Sequence, residues 1–205
     1  MLLHACCAPC SSAIVEWLLA HHVTPVIYYF NPNIYPFEEY EIRKNESKRH
    51  ATSLGIIWYD DDRSSEEWFH AHDSWLGAVQ GLEHEPERGK RCEACFYHRL
   101  LATAKKAQEL GIPFFATTLA SSRWKNLDQV NAAGLQAEHS LIHSFTHSFI
   151  PKFWPQNWRK DGLQDRRNAL LKEYGFYNQQ YCGCEFSLRA SLNRTENPDT
   201  LSIPL

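Results

Sequence analysis

The sequence predicts an α/β protein, a single Rossmann-like domain whose mostly parallel sheet carries helices on both faces. Three observations predict it. Short apolar runs rich in β-branched and aromatic residues alternate with longer segments of helical spacing, and that alternation implies parallel strands joined by helical crossovers. Gly, Pro and Asn punctuation falls between the runs, where turns are needed. A chain of 205 residues is long enough for one domain with a buried core and short for two.

The elements follow in order. Leu2-Leu3-His4 is a short apolar opening that reads as a buried strand, and residues 11–22, with Ile14, Val15, Trp17, Leu18 and Leu19, have helical spacing. Between them Cys6-Cys7-Ala8-Pro9-Cys10-Ser11-Ser12 reads as a tight strand-to-helix turn, with Pro9 or the serines near the helix start. Residues 23–30 form a second strand, ended by Asn31-Pro32-Asn33. A charged helix is expected over 37–54, then Gly55, a strand over 56–59 and Asp60-Asp61-Asp62. Ser64-Ser65-Glu66-Glu67 has the acidic first turn that the helix dipole favours. Residues 98–110 read as a helix stopped by Gly111 and Pro113, and 114–119 as another buried strand. From about residue 140 the pattern loosens, apart from a helical piece over 165–174. The domain is expected to span 1–190, with 191–205 as a polar C-terminal tail.

Composition narrows the function. The hydrophobic share of 43% is ordinary, but seven Trp, nine Tyr and eleven Phe suggest either a dense aromatic core or stacking surfaces. No run approaches the roughly 20 apolar residues that span a bilayer, and Met1-Leu2-Leu3-His4 lacks the pattern of a signal peptide, so a cytoplasmic location without membrane contact is expected. In that reducing compartment seven cysteines point to metal or redox chemistry instead of a disulfide framework. With a net charge of −3, any nucleic-acid binding must use a local patch.

The cysteines fall in three groups: Cys6, Cys7 and Cys10; Cys92 and Cys95; Cys182 and Cys184. A C-x-x-C pair brings two thiolates to one metal centre, and both zinc and iron-sulfur sites take four. Cys6 and Cys7 fall at the carboxyl end of the first strand, where open α/β sheets build their sites. The four-ligand candidate is therefore Cys6, Cys7, Cys92 and Cys95. Adjacent cysteines suit a multi-iron cluster better than a single tetrahedral ion, although a structural zinc stays open. Cys182-Gly183-Cys184 can close only a small strained ring, which suits a redox-active pair; two further ligands or two unpaired thiols are the alternative. Cys10 reads as core or as a neighbour of the ligands.

Together these residues resemble the QueH family of epoxyqueuosine reductases. The resemblance rests on Leu3-His4-Ala5-Cys6-Cys7-Ala8-Pro9-Cys10-Ser11, Phe30-Asn31-Pro32-Asn33-Ile34 with Glu39-Tyr40, and Glu83-His84-Glu85-Pro86-Glu87-Arg88-Gly89 leading into Arg91-Cys92-Glu93-Ala94-Cys95, with Arg99-Leu100 and Thr103-Ala104. It continues through Phe115-Ala116-Thr117-Thr118-Leu119, Lys125-Asn126 and Tyr181-Cys182-Gly183-Cys184-Glu185-Phe186-Ser187. The resemblance implies a fold like that of the adenine nucleotide α-hydrolases and reduction of the epoxide of epoxyqueuosine, at the wobble base of tRNA, to the cyclopentene of queuosine. It implies a 4Fe-4S cluster on Cys6, Cys7, Cys92 and Cys95, a redox-active Cys182/Cys184 pair as the catalytic residues, an additional iron ion in some members, and an unidentified electron donor. Ser121-Ser122-Arg123-Trp124 before Lys125 departs from the Ser-Pro and aromatic that the family pattern leads one to expect.

Epoxide removal needs a proton donor as well as electrons, and His4, Tyr35, Glu39, Tyr40, Asp60 and Tyr181 are the candidates by position. For RNA, residues 150–173 interleave Lys152, Arg159, Lys160, Arg166, Arg167 and Lys172 with Phe153, Trp154 and Trp158, cations for phosphate and rings for bases; a solvated helix face over core tryptophans is the alternative. Two rival classes are a zinc-stabilised RNA-binding module and a general thiol-disulfide oxidoreductase. A phosphate-activating nucleotide enzyme is disfavoured, because cysteines stand where a Gly-rich cradle belongs.

Overall fold

The computed structural model describes residues 1–62, 64–122, 124–142 and 149–196; residues 197–205 of the expected tail and Arg123 of the departing loop lie outside the described residues. In chain order the elements are β1 (Leu2–His4), α1 (Ala8–Ala20), β2 (Val26–Tyr29), α2 (Phe37–Ser53), β3 (Trp58–Asp60), α3 (Ser65–Ala78), α4 (Lys90–Glu109), β4 (Phe114–Thr117), α5 (Leu127–Ile142), β5 (Lys152–Phe153), α6 (Leu163–Glu173) and α7 (Glu185–Glu196). The strands form one five-stranded sheet in the order β3-β2-β1-β4-β5, parallel at every pairing.

Leu2, Leu3 and His4 are fully buried, as a central strand covered on both faces requires. Register aligns Leu3 with Ile27 on one side and with Ala116 on the other. The strand order runs outward from β1 to β3, then crosses back to β4 and β5, so the switch point lies between β1 and β4. Right-handed crossovers then put α1 and α2 on one face and α4 and α5 on the other; α1 packs against α2 and α6, and α4 against α5. The core joins Leu2, Leu3, Ile14, Leu18, Leu100 and Phe115 across the sheet. A cluster of Tyr29, Tyr40 and Trp68 with Ile34 ties α2 and α3 to β2. A third joins Trp75, Val79 and Cys95, with Cys184 and Phe186 packed against it. Much of the aromatic surplus is therefore core: Trp68, Trp75 and Trp158 are buried.

Several boundaries differ from the sequence expectation for definable reasons. Cys7 caps α1 in extended conformation (φ −172°, ψ 162°), with Pro9 in the first turn where its missing N–H costs nothing; the helix therefore starts ahead of residue 11. α4 starts at Lys90 and contains the whole C-x-x-C segment. Its N-terminal chain is folded back by Arg91, which donates to the carbonyls of Glu83 and Glu85. α5 buries Val130, Ala133, Gly134, Ala137 and Leu141, a helical stripe of mostly small residues with a weak sequence signal. β5 has two residues, too few for a periodicity. The 190/191 boundary falls within α7. Among the described residues no helix is long and apolar enough to cross a membrane.

Candidate metal centre

The chain leaves β1 at the switch point and places Cys6 beside the segment that follows β4. The Cys6 amide donates to Thr118 Oγ1 at 3.2 Å, and the Thr118 hydroxyl donates to Cys6 Sγ at 3.5 Å. Asn31, from the turn after β2, donates to the Ala5 carbonyl at 2.9 Å and accepts from Arg99 of α4. His4 braces the same floor: its Nδ1 lies 2.9 Å from Thr117 Oγ1 and its Nε2 3.2 Å from the Phe30 carbonyl. A carbonyl can only accept, so Nε2 carries the proton. Burial, assisted by the Arg99 charge, pushes the imidazole down to about 3, so His4 is neutral at physiological pH.

The turn draws the first three thiols together. Cys6, Cys7 and Cys10 have sulfurs within 4.8 Å of one another, with Cys6 and Cys7 at 3.9 Å. Hydrogen bonds from Cys10 and Cys7 hold the Cys6 thiol well below its ordinary value, with help from the Lys125 charge. The same sharing pushes Cys7 well above its ordinary value and Cys10 up to about 11. Of the three, Cys6 gives up its proton most readily, and a cation bound by the trio would displace the protons of the others to solvent. Gln179 donates toward Cys7 and Cys10 sulfurs at 3.6 and 4.0 Å. Cys10, expected as core or a neighbour, stands in this group as a full member.

Cys92 and Cys95 lie one turn apart at the start of α4. Cys92 Sγ accepts from the Arg88 amide at 3.2 Å, and burial pushes the thiol up to about 12. Cys95 is buried beside Trp75 and Val79, and Cys184 packs against that cluster, its thiol pushed up to about 11 by burial. Cys182 is exposed and accepts from the Lys125 ammonium at 3.6 Å. Against burial, which lowers it, the charges of Cys182, Cys6 and Cys10 hold Lys125 above its ordinary value. Gly183 has φ +128°, and a Cβ there would meet Arg43 Nη1 at 3.0 Å and Ile34 at 3.2 Å; only glycine fits. Arg43, paired with Glu39 at 2.6 Å, donates to the carbonyls of Cys182 and Tyr181, which fixes this loop over the site.

One cavity of about 550 Å³ takes a thiol from each cysteine group, Cys10, Cys92 and Cys182, together with Lys125, Gln179 and Tyr181. Of the six proton-donor candidates, only Tyr181 is among the residues lining it. Burial pushes the Tyr181 phenol up to about 12, so it holds its proton, and its hydroxyl donates to the Tyr35 carbonyl. Glu39 is committed to Arg43 and Asp60 to Lys44 at 2.8 Å, while Tyr40 is fully buried and Tyr35 exposed.

The basic segment over 150–173 is largely structural. Trp158 and Phe153 are buried, Arg159 donates to the Ser122 and Lys125 carbonyls at 2.6 and 2.8 Å, and Arg166 binds Glu16 of α1 through two hydrogen bonds of 2.7 Å. Arg167 alone of these cations is among the residues lining the cavity. Sequence reasoning assigned no role to Lys125, Thr118, Arg43 or Gln179. Thr118 and Lys125 stood in the sequence only as marks of the family resemblance, and the contacts of all four were not legible there, because each reaches its sulfur or loop across a long stretch of chain.

Thiols gathered at the switch point of a doubly wound parallel sheet, with a lysine against them and a cavity above, define a class: an α/β enzyme of thiol-based metal or redox chemistry. The comparisons with known proteins give the family. The model of the family described as Epoxyqueuosine reductase QueH matches residues 1–190, and the chain belongs to that family, whose members are oxidoreductases of queuosine biosynthesis. The epoxyqueuosine reductase QueH of Haemophilus influenzae is 41% identical over 191 residues, covering 93% of this chain and 72% of that protein. That of Acinetobacter baylyi is 40% identical over 92% of this chain and 80% of its own length. That of Thermotoga maritima is 34% identical over 92% and 90%.

Proposed function

We propose that this protein reduces epoxyqueuosine to queuosine at the wobble position of tRNA, with a 4Fe-4S cluster held by Cys6, Cys7, Cys92 and Cys95 and with Cys182 and Cys184 as the redox-active pair. The observation that carries the reading is a cavity to which all three cysteine groups contribute a thiol, Cys10, Cys92 and Cys182. The donor set fits the group in kind: the thiols of Cys6 and Cys7, 3.9 Å apart, and of Cys92 and Cys95, one helical turn apart, are the soft ligands that iron-sulfur centres take, while among the described residues the sulfurs gathered within 4.8 Å of one another are those of Cys6, Cys7 and Cys10. Cys10, in the same cluster of sulfurs, is the thiol left for an additional iron ion. The cluster, when bound, supplies low-potential one-electron chemistry.

The protein's own groups account for the rest. Opening the epoxide to an alkene consumes two electrons and two protons and releases water. Oxidation of Cys182 and Cys184 to a disulfide releases two electrons and two protons, which balances the reaction, and an external two-electron donor then restores the thiols. Lys125, 3.6 Å from Cys182 Sγ, sets a cation against one sulfur of the pair. Tyr181 holds a proton beside the cavity and, once its hydroxyl leaves the Tyr35 carbonyl, can hand it to the departing oxygen. Arg43, Gly183 and the Tyr35–Gly183 backbone hydrogen bond of 2.8 Å keep this loop in place.

The test is anaerobic purification followed by iron and sulfide analysis, absorption near roughly 400 nm, and turnover on epoxyqueuosine-containing tRNA. Cys92→Ala and Cys95→Ala are expected to lose cluster iron and activity together, whereas Cys182→Ser keeps the iron and loses turnover. Full metal content and undiminished turnover in the Cys92 and Cys95 variants would overturn the reading, as would a colourless zinc protein without turnover.

A further inference from the structure

Among the described large hydrophobic residues, Trp124 is the most exposed, at 74%, and it lines the thiol cavity. An indole left in water costs roughly 2 kcal/mol relative to burial, and most aromatic rings of this protein avoid it. The backbone beneath it is held on several sides. Arg88 Nε donates to the Trp124 carbonyl at 2.8 Å, Arg159 donates to the carbonyls of Ser122 and Lys125 on either side, and the Lys125 amide donates to Ser122 at 3.1 Å. Arg88 is itself in left-handed conformation, φ 68°, with its carbonyl accepting from Gln129 Nε2 at 2.7 Å. The ring is therefore presented from a fixed platform, so little ordering cost falls on whatever binds it.

The surroundings identify what would bind. Arg88, Lys125 and Arg167 share the cavity with the neutral amides Asn168, Asn178 and Gln180, on a chain of net charge −3. Cations suit phosphates, amides suit the hydrogen-bonding edges of a base, and a flat exposed indole suits a base face. An acidic peptide would use the cations and leave the amides and the ring without partners.

We infer that Trp124 is a stacking platform for one base of the RNA substrate, next to the nucleotide that enters the thiol cavity. This rests on the proposed function and names a contact within it. In single-stranded recognition each base stacked on an aromatic ring contributes measurably and with little dependence on sequence. Trp124 therefore sets affinity and the position of the strand, and takes no part in electron or proton transfer.

Steady-state kinetics of the purified holoenzyme on epoxyqueuosine-containing tRNA test this. Trp124→Ala is expected to raise KM about 5- to 100-fold, the worth of one such stack, with kcat changed less than twofold. Trp124→Phe recovers most of the loss. Iron content and melting temperature stay at wild-type values, because the ring is exposed, and the quenching of tryptophan fluorescence by tRNA shrinks in Trp124→Ala. A wild-type enzyme that turns the substrate over with a Trp124→Ala variant of unchanged KM overturns this inference and leaves the proposed function standing. A wild-type enzyme that fails to reduce the substrate overturns the proposed function itself. Loss of iron or a lowered melting temperature in Trp124→Ala also overturns the inference, since it makes the indole a structural residue.

Discussion

Asp62 is a carboxylate almost completely removed from water, beside Tyr40 and Lys44 of α2 and outside the thiol cluster. Burial pushes it up to about 7, against the Tyr40 hydroxyl and the Lys44 ammonium, which both pull it down. The folded protein therefore binds a proton at Asp62 that the unfolded chain, with a carboxyl near 3.8, releases. Its contribution to stability is greatest below about pH 4, falls as pH rises toward 7, and is level above. His4 has the opposite slope: held neutral and pushed down to about 3, it weakens the fold as pH drops below its ordinary 6.5. In the difference between wild type and Asp62→Asn the His4 effect cancels. The variant is expected to gain stability relative to wild type between pH 4 and 7, by at most about 4 kcal/mol, followed by melting temperature across that range. A difference independent of pH would show that Asp62 is ionised in the fold.

At the scale of elements, the C-x-x-C and the cavity depend on helices that hold the sheet from one side. α5 packs on β5 so closely that a Cβ at Gly134 would lie 2.3–2.5 Å from the Phe153 ring. That ring cannot swing aside, because it is buried and packs on Phe115 with centroids 5.2 Å apart. Gly134→Ala is expected to destabilise the protein by about 1–3 kcal/mol, as overpacked cores do, read from the denaturant midpoint; an unchanged midpoint would mean that α5 and β5 part readily. Gly134 also shows why α5 was silent in the sequence. A helix face built of Val130, Ala133, Gly134 and Ala137 is apolar through shape more than through bulk, and its partner is a two-residue strand whose existence depends on pairing with β4.

For the whole molecule, the balance of charge makes RNA binding local. The basic segment over 150–173 spends Arg159 and Arg166 on internal contacts and places Arg167 among the residues lining the cavity; Arg88 and Lys125, which also line it, are bonded to the Trp124 carbonyl and the Cys182 sulfur. With about one phosphate neutralised by Arg167, affinity for a single-stranded loop should fall with salt with a log–log slope of about −0.7. Filter binding or anisotropy between low and physiological salt measures it. A slope several times steeper would locate the main contact on another face.

Residue order alone disclosed the alternation of strands and helices, the strands β1, β2 and β4, the cysteine-bearing turn after β1 and the C-x-x-C, because each is a local pattern of hydrophobicity or spacing. The family, too, was legible, since its motifs are strings of residues. Tertiary structure alone decided that Cys10 joins Cys6 and Cys7, that Lys125 reaches Cys182, that α4 begins early enough to carry both of its cysteines, and that Trp124 stays in water while Trp68, Trp75 and Trp158 do not. The reason is physical. Helical and strand propensities act over a few residues, whereas a thiol's neighbours, a tryptophan's burial and a carboxyl's affinity for protons depend on what the folded chain brings from far away in sequence.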